Sequence, residues 1–164
     1  FESVKKLKEF YESKALEIIK HSVKVLTEEA DADEKEKAVR RVTTAGQVTL
    51  FTRTFGGGTD FICYDQNVAA NDGAHVIQTF LSEEYSEEIQ IKGRTARQGD
   101  TRFYGMVLLD SDLEKFLIQR EDIENIKKGK RISDHLAAKF SSTKVYDTVY
   151  ELLHDKRNAL FKTL

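Results

Sequence analysis

The sequence contains no proline and no tryptophan, and it has only one cysteine and four histidines among its 164 residues. The single cysteine, Cys63, excludes an internal disulfide, so nothing points to an oxidising compartment. The histidines are scattered, and none has ligand spacing with another histidine or with Cys63, so no metal site is predicted. No apolar run approaches the ~20 residues of a transmembrane helix, and no signal-peptide pattern is present.

The chain also lacks a large excess of charge of either sign. Its formal net charge is −2 and its pI is about 6.1. Because a domain that binds nucleic acid on its own usually carries a basic surface, this balance disfavours that class. Hydrophobic residues make up 40% of the sequence and charged residues 33%, enough for a core beneath a polar surface. The length fits one domain, or one domain with an appendage.

Helical segments alternate with short apolar segments over roughly the first two thirds of the chain. Strands are predicted at residues 21–27, 47–52, 61–64, 75–80 and 102–109, and the principal helices at residues 2–14, 33–46 and 82–98. Asp33 with Glu36, and Ser111 with Glu114, are predicted to form capping boxes. This order predicts an α/β fold in which helices flank a parallel β-sheet. Past residue 118 the strand pattern ends, and a C-terminal helical extension is predicted.

Two arginines lie one helical turn apart near the end of one predicted helix. Four residues share a face there by their i, i+3, i+4 and i+7 spacing: Gln90, Gly93, Arg94 and Arg97. Arginines so placed repel each other unless an anion lies between them, and glycine within a helix costs about 0.5–1 kcal/mol, which predicts a close backbone approach. The face therefore predicts a site for a nucleotide phosphate. The alternative is a basic last turn that complements the helix dipole, with Asp100 as a surface partner.

A second motif, residues 52–60, directly follows a predicted strand. It reads Thr-Arg-Thr-Phe-Gly-Gly-Gly-Thr-Asp. The glycines let backbone amides approach a ligand, and Asp60 can accept hydrogen bonds from a sugar hydroxyl or hold an arginine in place. Parallel sheets bind ligands at the carboxyl ends of their strands, which is where this segment is expected. Taken alone, consecutive glycines are most often a turn.

Together the two segments resemble motifs V and VI of superfamily 2 ATPase motors, and more narrowly those of SecA, the preprotein translocase motor. SecA proteins carry A-T-N-M-A-G-R-G-T-D, then G-L-H-V-I-G-T-E-R-H-E-S, then Q-L-R-G-R-x-G-R-Q-G-D and R/Q-F-Y. The corresponding segments here are residues 51–60, 73–79, 90–100 and 102–104. The resemblance is specific across roughly residues 47–116 and weak on either side.

The resemblance implies a second RecA-like motor domain, assigned to residues 1–118. The helical extension that the sequence pattern predicts then covers residues 119–164. In such motors ATP and Mg²⁺ lie between two RecA-like domains. The first domain carries the Walker A and B elements that hold them. The second supplies arginine fingers, which stabilise charge on the transferred phosphoryl group. By position, the resemblance makes Arg97 the principal catalytic finger and Arg94 its neighbour.

The resemblance also implies the remaining nucleotide contacts. Asp60 would contact the nucleotide, with Gly58 giving it close access. Gln90 would link the nucleotide site to the interdomain cleft, and Gly93 completes the predicted binding set. One departure is that the family arginine between the motif V glycines is Gly57 here, which removes a cationic contact. Another is that residues 80–86 lack the basic and histidine residues of the family's E-R-H-E-S-R-R.

The leading hypothesis is the C-terminal RecA-like half of a SecA-like, ATP-driven protein translocase motor. Its expected partners are the first RecA-like domain of the same parent chain, a polypeptide substrate and a membrane translocation channel, at a cytoplasmic location that includes the membrane periphery. The chain contains no G-x-x-x-x-G-K-[ST], so it is not expected to hydrolyse ATP unaided. One alternative is the equivalent domain of an RNA or DNA helicase, which the acidic pI disfavours. Another is a diverged, non-catalytic SecA-derived binding module, which Gly57 favours.

Overall fold

In the computed structural model, the described residues are 1–57, 61, 63, 65–71, 73–93, 103–130 and 146–161. The chain divides into two compact units, Phe1–Val107 and Leu108–Leu164. The domain boundary predicted between residues 118 and 119 comes from the end of the strand pattern in the sequence, and it stays a prediction.

The first half of unit 1 is a β-α-β arrangement preceded by a helix. Helix α1 spans Val4–Tyr11, with Ser3 as its N-cap, and is followed by 3-10 turns at Lys14–Leu16 and Lys20–Ser22. Strand β1 (Val23–Leu26) pairs in parallel with strand β2 (Val48–Phe51), and helix α2 (Ala32–Val42) connects them. A small apolar core joins these elements, formed by Leu7, Leu16, Val23 and Leu50.

The capping box of α2 differs from the predicted one. Asp31 accepts a hydrogen bond from the backbone N–H of Glu34, and the Glu34 side chain accepts one from the N–H of Asp31. The prediction of Asp33 with Glu36 was therefore wrong by two residues. Both pairs have the same spacing, so the pattern alone does not separate them. The observed box satisfies two of the backbone donors that the first turn of a helix leaves without a partner.

The second half of unit 1 contains another parallel pair. A 3-10 turn at Arg53–Phe55 follows β2, and helix α3 spans Gln66–Ala70. Strand β3 (His75–Gln78) pairs in parallel with strand β4 (Phe103–Met106), and helix α4 (Tyr85–Gly93) precedes β4 in the chain. Of the strand predicted at residues 61–64, Phe61 and Cys63 are described and neither lies in a strand.

The predicted fold class, α/β with parallel strands and helices, is confirmed. Within the described ranges the strands form two separate parallel pairs rather than one continuous sheet. Each pair is connected through helices, as parallel strands require a crossover. The segments that follow β2 and β3 therefore each begin at the end of a parallel strand.

Unit 2 is helical in the residues that the structure describes. It contains α5 (Asp110–Leu113), a 3-10 turn at Glu114–Phe116, α6 (Arg120–Lys127) and α7 (Val149–Phe161). The capping box predicted at Ser111 and Glu114 is wrong, because α5 begins after Leu109 with no side-chain cap. Across the described parts of both units, no helix is long and apolar enough to cross a membrane.

Candidate functional site

The segment that leaves β2 forms a tight turn, here called the glycine turn (residues 53–57). Its first loop is closed by two backbone hydrogen bonds, from the N–H of Phe55 to the carbonyl of Thr52 (3.1 Å) and from the N–H of Gly56 to the carbonyl of Arg53 (2.8 Å). Thr52 is buried, and its hydroxyl donates to Glu28 Oε2 at 2.6 Å. The start of the turn is therefore fixed to the connection that follows β1.

Helix α4 packs directly against the two glycines of this turn. A Cβ placed on Gly56 would lie 2.9 Å from Ile91 Cγ1, and one on Gly57 would lie 2.8 Å from Gln90 Oε1. These separations are shorter than ordinary carbon contacts of about 3.5–4.0 Å. At Gly56 the absence of a side chain is therefore what lets the turn approach the helix, whereas at Gly57 only the end of the exposed Gln90 side chain would have to move. The segment that follows β2 and helix α4 therefore meet at Gln90 and Ile91.

A cleft of about 590 Å³ opens beside this contact. It is lined by Arg53, Thr54, Gly57, Glu83, Glu84, Ser86, Glu87 and Gln90. The volume lies within the roughly 300–1,000 Å³ that is usual for small-molecule sites, so it is large enough for a nucleotide. The described lining carries three carboxylates and one guanidinium. Because this lining is net negative, it can accommodate a triphosphate only when further cations lie close to the cleft.

Arg53 is the cationic side chain of this described lining, and it is held by Glu87. Its Nε donates to Glu87 Oε1 at 3.2 Å and its Nη2 to Glu87 Oε2 at 2.9 Å, a two-bonded pair. The guanidinium carbon also lies 5.4 Å from the centre of the Phe80 ring. The side chains of Arg53 and Glu87 are 40% and 21% exposed, so the pair lies at the wall of the cleft and remains in contact with solvent.

A buried polar network anchors α4 to the second pair of strands. The amide of Gln78, at the end of β3, donates to Ser82 Oγ at 3.0 Å and accepts from the Tyr104 hydroxyl at 2.9 Å. Lys92 contacts the fully buried carboxylate of Glu88 at 3.0 Å, and its ammonium lies 5.1 Å from the centre of the Tyr104 ring. Lys92 therefore connects α4 to Tyr104 on β4, and the bond between Gln78 and Ser82 holds the segment that leads into the helix.

Hydrogen bonds shift the pKa of two carboxylates around the glycine turn and α3. The pKa of Glu28 is lowered, chiefly because the Thr52 hydroxyl donates to its charged form. The pKa of Asp65 is lowered because the backbone N–H groups of Ala45 and Asn67 donate to it. Both groups hold local backbone in place, and neither lines the cleft.

The predicted site residues fall into two groups. Gln90 lines the cleft, and its predicted role as a link between the nucleotide site and the interdomain cleft stays a prediction. Gly93 is the last residue of α4, and no described atom lies within 4 Å of a Cβ built on it, so its predicted ligand contact stays a prediction. The remaining four predicted residues lie outside the described residues, and their roles stay predictions: Gly58, Asp60, Arg94 and Arg97.

Sequence reasoning missed the pair of Arg53 and Glu87. The two residues are 34 positions apart, so no local spacing links them. The available signal was that Arg53 is the single basic residue of the motif at residues 52–60. Within the described ranges, no group of three or more histidine, cysteine, aspartate or glutamate residues is placed to hold a metal ion.

The chain is similar in sequence to protein translocase subunits. Protein translocase subunit SecA 2 of Bacillus thuringiensis subsp. konkukian is 36% identical over 107 residues, covering 63% of this chain and 13% of that protein. Protein translocase subunit SecA of Heliobacterium modesticaldum is 39% identical over 102 residues, covering 58% of this chain and 12% of that protein. Protein translocase subunit SecA 2 of Bacillus cereus is 31% identical over 121 residues, covering 72% of this chain and 15% of that protein. The chain is SecA-like over this stretch.

The SecA-like chain spans only about an eighth of the length of these relatives. No family model matches it. One solved structure, the C-terminal part of the Fun30 ATPase domain, aligns with a TM-score of 0.40 and 12% identity, covering 92% of this chain and 43% of that one. These values are too low to establish a shared fold, so the assignment rests on the SecA sequences.

Proposed function

We propose that this chain is the C-terminal RecA-like half of a SecA-like, ATP-driven protein translocase motor. A single observation carries the proposal: the glycine turn after β2 and the helix before the paired arginines meet at Gly57 and Gln90, beside a nucleotide-sized cleft. The identity of 31–39% to SecA and SecA 2 subunits supports the same assignment.

In this proposal ATP and Mg²⁺ are held mainly by a Walker A/B domain of the parent chain, and this half closes over them. Arg97 is the principal arginine finger and Arg94 its neighbour. Their guanidinium groups stabilise the negative charge that develops on the transferred phosphoryl oxygens. Asp60, with Gly58 beside it, contacts the nucleotide.

The described residues support this arrangement by fixing the helix that leads to the arginines. Lys92 binds Glu88 within α4, and its ammonium lies 5.1 Å from the centre of the Tyr104 ring on β4. An arginine finger acts only when it is held at the transferred group, because misplacement by about 1 Å costs ~100-fold in rate. Anchored in this way, α4 positions Gln90 at the cleft, with Gly93 completing the predicted nucleotide contacts.

The proposed work is the movement of a polypeptide. The relatives are named as protein translocase subunits, which is the basis for proposing a polypeptide substrate and a membrane translocation channel as partners. The proposed location is the cytoplasm, including the membrane surface. Nucleic acid is the disfavoured alternative, and salt-sensitive binding of the parent protein to single-stranded RNA or DNA would support a helicase instead.

The test is the Arg97→Ala variant of the full-length parent protein. We expect its ATPase kcat to fall by about 10³-fold or more, with a much smaller change in nucleotide Kd, because a finger acts mainly in the transition state. Arg40→Ala is the matched control, since Arg40 is an exposed arginine paired with Glu36 on α2, outside the cleft lining. Full ATPase activity in Arg97→Ala would refute the finger assignment.

A second candidate is favoured by one feature of the cleft. The described lining has three glutamates against one arginine, and the family arginine at position 57 is replaced by glycine. These properties fit a diverged SecA-derived module that binds a partner and no longer binds nucleotide. Equilibrium dialysis of the full-length protein with ATP and Mg²⁺ separates the two, because the module predicts no saturable binding.

A further inference from the structure

The first residue of the chain is hydrogen-bonded to the end of β2 through its backbone. The amino group of Phe1 donates to the carbonyl of Phe51 at 2.7 Å, and the N–H of Arg53 donates to the carbonyl of Phe1 at 2.7 Å. In a parallel ladder, a residue bonds in this way to the two neighbours of the residue with which it is paired. Phe1 is therefore paired in parallel with Thr52.

Phe1 lies on the side of β2 that faces away from β1. The N–H of Thr52 donates to the carbonyl of Leu26, the last residue of β1. Because the backbone groups of successive residues in a strand point to opposite sides, the residues on either side of Thr52 point away from β1. Among the described strands, β1 alone pairs with β2. The backbone of Thr49 and the N–H of Phe51 therefore form an edge that no described strand covers, here called the outer edge.

The surroundings of Phe1 favour a neutral amide over a charged amine at this place. Its ring contacts that of Phe10, with centres 5.2 Å apart, and packs against the core that contains Leu50. Burial lowers the pKa of the Phe1 amino group from 8.0 to about 6, although the charge of Glu2 acts in the opposite direction. An amide nitrogen carries no charge, so it makes the same bond to Phe51 without this desolvation penalty.

We propose that the outer edge of β2 is a strand-docking surface, and that its occupant is the segment of the parent chain that immediately precedes Phe1. This inference takes from the proposed function only that the chain belongs to a longer parent, which its 12–15% coverage of the relatives supports. Phe1 already sets the parallel register, so the segment needs only to remain extended. The second residue before Phe1 then lies beside Leu50, donates its N–H to the carbonyl of Thr49 and accepts from the N–H of Phe51.

A second copy of the protein is the competing occupant, because an uncovered strand edge can pair with any extended chain. Such a copy has to lose translational and rotational freedom when it binds. The segment before Phe1 is covalently held beside the edge, so it competes at a high effective concentration. The two occupants also differ in a measurable way, since only pairing with a second copy depends on protein concentration.

The experiment is residue-resolved amide hydrogen exchange of the full-length parent protein at two concentrations. We expect the N–H groups of Thr49 and Phe51 to exchange within about 10-fold of the rate of the Thr52 N–H, which is bonded to β1. On an uncovered edge they should exchange about 100-fold faster than Thr52, or more.

A matched pair of variants tests whether Phe1 sets the register. Phe1→Pro and Phe1→Ala both remove the ring, but only proline also removes the N–H that bonds to Phe51. We expect exchange at Thr49 and Phe51 to be about 10-fold faster in Phe1→Pro than in Phe1→Ala, with Thr52 slow in both. Equal rates in the two variants would mean that a different segment covers the edge, and would overturn the assigned occupant.

The remaining outcomes separate this inference from the proposed function. Fast exchange at Thr49 and Phe51 in the wild type overturns the inference, and this result needs no variant to fold. Slow exchange that is lost on dilution assigns the edge to a second copy and also overturns it. Arg97→Ala tests the function independently: full ATPase activity in that variant refutes the finger and leaves a concentration-independent slow exchange, and hence this inference, standing.

Discussion

Substitution of the two neighbouring glycines of the turn, one at a time, should have different consequences. A Cβ on Gly56 would meet Ile91 Cγ1 at 2.9 Å and the backbone carbonyl of Arg53 at 3.0 Å. Ile91 is only 6% exposed, so it cannot move away freely. A Cβ on Gly57 would meet only the end of the Gln90 side chain within 3 Å, and this side chain is exposed.

The magnitudes follow from what has to move. Overpacking of a buried contact costs about 1–3 kcal/mol, so Gly56→Ala should lower the free energy of unfolding by that amount. Gly57→Ala requires only a new rotamer of Gln90, and the reduced freedom of the unfolded chain gives back about 0.4–1 kcal/mol. The net effect at position 57 should therefore lie within roughly 1 kcal/mol of zero.

Urea unfolding of the protein, followed by circular dichroism, measures both changes. A double-mutant cycle with Gln90→Ala supplies the internal control, because removal of the Gln90 amide should relieve the contact at position 57 and leave the cost at position 56 unchanged. Equal destabilisation by the two glycine substitutions, or a cycle with no coupling between positions 57 and 90, would refute the contact between the glycine turn and α4.

Two further predictions concern the hydrogen bonds around the site. Thr52→Val removes the hydroxyl that lowers the pKa of Glu28, so this pKa should rise toward its ordinary value of 4.5. Because the pKa of Glu28 is depressed in the folded protein, its contribution to stability is present above pH 4.5 and is lost as the pH falls through the folded pKa. An NMR titration that finds the same Glu28 pKa in the wild type and in Thr52→Val would contradict this prediction. Tyr104→Phe leaves the buried amide oxygen of Gln78 without its donor and should cost about 1–3 kcal/mol of unfolding free energy; thermal unfolding unchanged from wild type would contradict this.

The general fold was predictable because it depends on repeated local patterns. Alternation of short apolar segments with amphipathic helices predicted the α/β class, and parallel pairs β1–β2 and β3–β4 follow from it. The exact start of a helix was not predictable where two residue pairs offered the same capping pattern. Asp31 with Glu34 and Asp33 with Glu36 have identical spacing, and only the path of the preceding connection decides which pair caps α2.

The candidate site shows the same division. The glycine turn contacts α4 at Gln90 and Ile91, and both segments resemble motifs that share a ligand. That they meet at one nucleotide stays a prediction, because Arg94 and Arg97 lie outside the described residues. The Arg53–Glu87 pair joins residues 34 positions apart, and nothing in either segment identifies its partner. The buried network is a similar case, because Gln78 and Tyr104 become neighbours only when β3 and β4 pair.

The charge of the cleft links this half of the proposed motor to the half that holds the nucleotide. Its described lining contains three carboxylates, and its guanidinium is already engaged by one of them. A triphosphate placed against such a wall gains stabilisation only when other cations are close, because like charges in a partly desolvated site repel strongly. In the proposed motor these cations are Mg²⁺, the Walker A lysine of the other domain and the arginine pair that follows α4. Nucleotide should therefore bind more tightly to the closed arrangement of the two halves than to this half alone. Such a difference in affinity is what makes closure of a motor depend on bound nucleotide.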